Sequence, residues 1–140
     1  MSMQLAFYRM HKRCAATYES GATRAYLHGR TECVRVLSNE SVAFVKAMSD
    51  YGSSDAVKFE ALQKALKAHN NYMVDATKGK GVDRHWLGLR VMMQKGEEHP
   101  IFKDSSYGMG VNFELSTSNM SPGTAMHALG FGPVTDTGYG

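Results

Sequence analysis

Apolar positions recur at spacings of three and four near the start of the chain, at Met3, Phe7, Met10, Cys14 and Thr17, with Leu5 and Ala6 beside them. That is one face of an amphipathic helix over residues 3–16. It opens without a capping residue of the usual kind, as expected of a longer helix entering from an upstream segment. Residues 17–26 then read as extended, ending at His28-Gly29. Ser38 or Asn39 is placed to cap a second helix through Met48, carried by Val42, Val45 and Met48. Tyr51-Gly52-Ser53-Ser54 reads as a loop. Asp55 opens a longer helix with an expected buried stripe of Val57, Ala61, Leu62, Ala65, Leu66, Ala68, Tyr72 and Met73. Lys78-Gly79-Lys80-Gly81 interrupts the pattern. Asp83 is placed to cap a further helix over 84–95, which is expected to bury Trp86, Leu87, Leu89 or Val91, and Met93.

The pattern then changes period. Tyr107, Met109, Val111, Phe113 and Leu115 alternate with Gly108, Gly110, Asn112, Glu114 and Ser116, which predicts a strand over 106–115. A turn-rich loop over 120–124 and a further strand over 127–131 are expected after it. Helices mixed with non-adjacent strands place the chain in the α/β (or α+β) class, a mixed β-sheet flanked by helices.

Length and charge narrow the function. At 140 residues the chain has room for one domain with a core. A net charge of +3 suits an anionic ligand, but the basic residues are scattered, which disfavours nucleic acid as a partner. No apolar run is long enough for a transmembrane segment. Cys14 and Cys33 fit no metal or redox spacing and read as reduced thiols of an intracellular protein.

Chemistry concentrates in Tyr18–Arg35, a stretch rich in hydroxyl and guanidinium groups with no long apolar run. Tyr18, Ser20, Arg30 and Thr31 are able to meet an anion or a ligand hydroxyl. Three more blocks follow in order: Gly81-Val82-Asp83-Arg84-His85, Ser116-Thr117-Ser118 and Phe131-Gly132-Pro133-Val134. Together the four blocks resemble the carnitine/choline acyltransferase family over nearly the whole chain, as a fragment from the second half of a family enzyme. The resemblance implies a truncated, chloramphenicol-acetyltransferase-like C-terminal domain. Its substrates would be carnitine and an acyl-coenzyme A, with coenzyme A a cosubstrate and no permanently bound cofactor or metal. The missing N-terminal half of the same enzyme would be its partner, and a mitochondrial or peroxisomal location would follow.

The resemblance also implies roles. Tyr18, Thr31 and Arg84 would hold the carnitine carboxylate, with Ser20 and Ser116 nearby and Phe131 against the trimethylammonium, a contact that contributes roughly 0.5–2 kcal/mol. Ser118 would donate to the oxyanion, a contribution on the order of 3 kcal/mol. Glu19 and Asn119 would touch coenzyme A, although Asn119 stands where the family usually has glutamine, and Ala22 replaces a family serine. Leu129 stands where the family varies with acyl length, and its bulk implies a closed pocket for acetyl or another short group. Choline has no carboxylate, so an arginine and threonine at these positions favour carnitine over choline. Each residue also has a plainer reading: Arg84 as a helix-start arginine paired with Asp83, the serines as a strand-ending turn, Phe131 as core. The family's general base is a histidine in a His-x-x-x-Asp/Glu setting; none of His11, His28, His69, His85, His99 or His127 reads as standing in it, so the base is expected upstream together with the lysines that hold coenzyme A, and Lys78 and Lys80 are not their equivalents. His85 is expected to be structural, hydrogen-bonded within its helix. A medium- or long-chain enzyme and a non-catalytic interaction domain are the rival readings.

Overall fold

Four strands form the centre of the computed structural model, which describes residues 1–120 and 128–138 and, of Asn119 and Phe131, the backbone alone. They are β1 (Thr17–Ala22), β2 (Thr31–Arg35), β3 (Leu115–Asn119) and β4 (Leu129–Phe131), in the spatial order β2-β1-β3-β4. β1 pairs antiparallel with β2 and parallel with β3, and β3 pairs antiparallel with β4. The sheet is mixed and flanked by helices, as the element pattern implied.

Strand alternation assigns the two faces. Thr17 Oγ1 accepts a hydrogen bond from Gln4 Nε2, Glu19 lies 3.3 Å from His69, and a Cβ on Gly21 would meet Ala76 at 3.6 Å. These partners come from α1 (Ser2–His11) and α3 (Asp55–Thr77), so the odd-numbered face of β1 is the helix face. Phe7, Ala15 and Leu115 are buried together there. A second cluster, Phe44, Val45 and Ala65, joins α2 (Asn39–Ser49) to α3. Tyr18 and Ser20 point the other way.

Side-chain caps set several helix starts. Ser38 caps α2 in a reciprocal box with Ser41, their backbone–hydroxyl bonds being 2.8 and 3.1 Å. Asp55 opens α3, as expected, and Ser54 caps it, its hydroxyl accepting from the Val57 N–H at 3.4 Å. α1 stops at His11, short of the expected residue 16, because Lys12 turns left-handed at φ 56°. The chain is then extended by Ala16, whose carbonyl accepts the Leu115 N–H at 3.3 Å. Met10 is consequently exposed, and Gln4 occupies the buried face instead. In α3 the expected stripe holds at Ala65 but leaves Val57 and Leu66 exposed.

Two expectations are corrected. The helix after Gly81, α4 (Val82–Met92), is not capped by Asp83; that carboxylate turns to Arg35, with contacts of 2.6 and 3.0 Å. Leu87, Leu89 and Val91 are exposed, and only Trp86 and Met93 of the expected stripe are half-buried. The strand expected over 106–115 is instead helical: α5 (Pro100–Lys103) leads into α6 (Ser105–Val111). Asp104 caps α6 by accepting the Ser106 N–H at 2.7 Å. The Tyr107 ring lies between Trp86 and Phe102, at centroid distances of 5.6 and 5.3 Å. Tyr107, Gly110 and Val111, at helical spacing, line one cleft with Arg35. The alternation was compatible with both periods, and capping with aromatic packing decided for the helix. The loop expected over 120–124 and the start of the strand at 127 lie mainly outside the described residues; β4 begins at Leu129.

Arg35 and Asp83 join β2 to α4 as a partly buried, two-pronged pair. Asp83→Ala is expected to lower unfolding free energy by about 2 kcal/mol in urea titrations, since it strands the guanidinium. The double replacement Arg35→Met/Asp83→Leu is expected to recover at least half of that loss.

Candidate functional site

The even-numbered face of β1 carries a row of hydroxyls. Tyr18 pairs with Ser116 across the parallel ladder, and one step further Ser20 Oγ lies 3.3 Å from Ser118 Oγ. The Ser116-Thr117-Ser118 block is therefore part of β3 itself, with Thr117 turned to the helix face. Tyr18 meets the Phe113 ring edge-on at 5.6 Å. At the far end of the row Ala22 pairs with Thr31.

Thr31 is exposed, and its carbonyl accepts a hydrogen bond from Arg84 Nε at 3.2 Å. Asp83 is taken by Arg35, and among the described residues no carboxylate lies within ion-pairing distance of the Arg84 guanidinium. Thr31 and Arg84 open onto a cleft of about 470 Å³ lined also by Thr23, Tyr26, Glu32 and His85. Tyr26 closes one wall: its hydroxyl donates to the Lys78 carbonyl, and its ring lies against Gly79, whose φ of 72° and lack of a Cβ admit it. Tyr18 lies four residues along the strand from Ala22, roughly 13 Å at the usual rise. The structure thus joins Ser20 with Ser118 and Tyr18 with Ser116 on one sheet face, and Thr31 with Arg84 through the backbone carbonyl of the edge strand β2.

Glu19 and Leu129 belong to the opposite face. They share a cleft of about 280 Å³ with Gln4, Thr17, His69 and Thr117. The backbone of Asn119 pairs with Leu129, and that of Phe131 pairs with Thr117. Two features escaped the sequence reading. His69 Nε2 lies 3.3 Å from Glu19, a histidine–carboxylate pair assembled from distant parts of the chain, which no in-chain spacing could reveal. Glu32, only 3% exposed, accepts backbone N–H groups from both Cys33 and Arg84.

The histidines need two corrections. His28 does stand four residues before Glu32, at the spacing of the family's base. It lies, however, in an exposed loop at φ 61°, while the Glu32 carboxylate is committed to those two amides. His85 is exposed on the cleft wall, and no hydrogen bond within its helix holds its ring among the described residues.

Paired hydroxyls on a sheet face can donate to an oxygen anion, and an arginine without a carboxylate partner among the described residues suits an anionic ligand group. The family model for choline/carnitine O-acyltransferases matches residues 1–140, and the chain belongs to that family. It is 41% identical over 142 residues to carnitine O-acetyltransferase of Homo sapiens, covering 100% of this chain and 22% of that protein. It is 40% identical over 143 residues to choline O-acetyltransferase of Danio rerio, with the same shares. The Drosophila melanogaster choline O-acetyltransferase is 37% identical over 165 residues, 100% of this chain and 23% of that protein. The chain thus spans between a fifth and a quarter of the length of the curated relatives it matches.

Burial and the neighbouring Asp83 charge push the Cys33 thiol up to about 12. Burial, again with Asp83, pushes the Tyr72 phenol up to about 12. Both groups hold their protons longer folded than unfolded, so above about pH 9 the unfolded chain binds fewer protons and stability falls as pH rises. The urea midpoint is expected to drop from about pH 9 toward pH 12. Cys33→Ala with Tyr72→Phe should flatten that drop.

Proposed function

We propose that the protein is part of a carnitine O-acyltransferase, whose complete form moves an acyl group reversibly between coenzyme A and carnitine. Identity does not select the acceptor, because choline and carnitine acetyltransferases are similar to this chain to the same degree. The observation that carries the reading is Arg84, beside exposed Thr31 and without a carboxylate partner among the described residues. A carboxylate-bearing acceptor supplies what that guanidinium lacks; choline has no such group.

In the forward reaction the carnitine hydroxyl oxygen attacks the thioester carbonyl. A base takes the hydroxyl proton as the C–O bond forms, the C–S bond breaks, and the thiolate leaves with that proton. Ser118 donates to the oxyanion in between, its hydroxyl steadied by Ser20 at 3.3 Å. The base comes from a part of the enzyme outside this chain, so the chain alone is inactive. Acetyl or another short acyl group is the donor, as in the acetyltransferases to which the chain is similar; Leu129, on the opposite face of the sheet from Ser118, does not bound that site here.

Purified chain with acetyl-coenzyme A and L-carnitine is expected to release no thiol above the uncatalysed rate, even when circular dichroism shows it folded. Turnover would place a base among its own histidines. By calorimetry the chain is expected to bind L-carnitine more tightly than choline. Arg84→Ala should weaken L-carnitine binding at least about tenfold and leave choline unchanged. Equal loss for both ligands would sink the carnitine assignment.

A further inference from the structure

We infer that Glu32 is a positioning residue for the Thr31–Arg84 pair, setting the arginine in place through its backbone rather than its charge. The inference rests on the carnitine reading for its functional meaning, but its geometry stands independently. Glu32 is 3% exposed, and its Oε1 accepts the Cys33 N–H at 2.6 Å and the Arg84 N–H at 3.3 Å. Oε2 lies 3.4 Å from the same Arg84 nitrogen. One carboxylate therefore bonds an amide of β2 and an amide in the first turn of α4.

Helix α4 needs such a partner. Its first-turn amides have no acceptor inside the helix, and its cap is Gly81, which has no side chain to offer. Asp83, the one acid of the first turn, is occupied by Arg35. Glu32 thus supplies from a neighbouring strand the acceptor that a serine or aspartate cap would supply locally, with the negative charge favoured at a helix N-terminus. Gly81 has to be glycine for this: a Cβ there would lie 2.3 Å from Glu32 Cγ and 2.6 Å from Oε2.

The same contact fixes the cleft. Glu32 adjoins Thr31 in β2, so bonding the Arg84 amide holds Arg84 beside Thr31, where Nε reaches the Thr31 carbonyl. The carboxylate bonds Arg84's amide and not its guanidinium among the described residues, so the cation is positioned without being neutralised.

Glu32→Gln keeps the shape and one acceptor oxygen but removes the charge and sets an NH2 group at the Oε2 position, 3.4 Å from the Arg84 nitrogen. In hydrogen-exchange NMR the Arg84 amide is expected to exchange at least about tenfold faster in this variant. L-carnitine binding should weaken about tenfold, whereas the methyl ester of carnitine, which carries no carboxylate charge, should bind as to the unmutated chain. On an Arg84→Ala background the substitution should add no further loss. In the unmutated chain both amide shifts should follow one titration, that of the Glu32 carboxyl carbon, which tests the contact even if the variant does not fold. Separate titrations, unchanged amide exchange, or equal loss of both ligands would overturn the inference. Coupled amides in a chain that binds no carnitine would uphold the positioning and remove the carnitine reading.

Discussion

One guanidinium ties together most of what surrounds the site. Arg35 grips Asp83 with two bonds, donates to the Gly110 carbonyl of α6, and lies 5.1 Å over the Phe113 ring. Phe113 in turn abuts Tyr18. The side chain is partly buried, so its charge has lost water and depends on these partners. Through it, the edge strand β2, the start of α4, the end of α6 and the first hydroxyl of the row share one anchor. None of those elements could shift alone without leaving a desolvated donor or acceptor unpaired.

Around that anchor the sheet separates two environments. Alternation along β1 sends Thr17 and Glu19 toward α1 and α3, and Tyr18 and Ser20 toward the opposite face. Because β3 runs parallel to β1 and in register with it, its serines fall beside Tyr18 and Ser20 rather than beside the helices. A slip of one residue would exchange the faces, placing Leu115 on the hydroxyl side and a serine in the cluster with Phe7 and Ala15. Burial of Leu115 therefore also fixes where Ser118 points.

What could be read from the sequence follows from range. Ser38 caps α2 through a residue three positions away, and α3 and α2 began near where local patterns put them. β2 gave no such signal. Glu32, Cys33 and Val34 are consecutive and all buried, with no alternation, because both α3 and α4 pack against β2. Asp83 looked like a cap because an acid at a helix start usually is one; Arg35, remote in sequence, outcompetes the local amide with a charged bidentate partner. Tyr107, Gly110 and Val111 failed in the other direction, since seven residues are too few to separate a period of two from one of 3.6. The hydroxyl and arginine positions were legible as chemistry, but the hydroxyl row depended on strand pairing and the arginine's place on the packing of α4 against β2.

The division of labour between Glu32 and Asp83 has a physical logic. Two carboxylates meet the start of one helix, and each is bound by a donor on or near β2: Asp83 by the Arg35 side chain, Glu32 by backbone amides. Had either carboxylate turned to Arg84 instead, it would have formed an ordinary ion pair and cancelled the cation. Arg35 pairs with one carboxylate and two N–H groups hydrogen-bond the other, so among the described residues neither forms an ion pair with the Arg84 guanidinium beside Thr31.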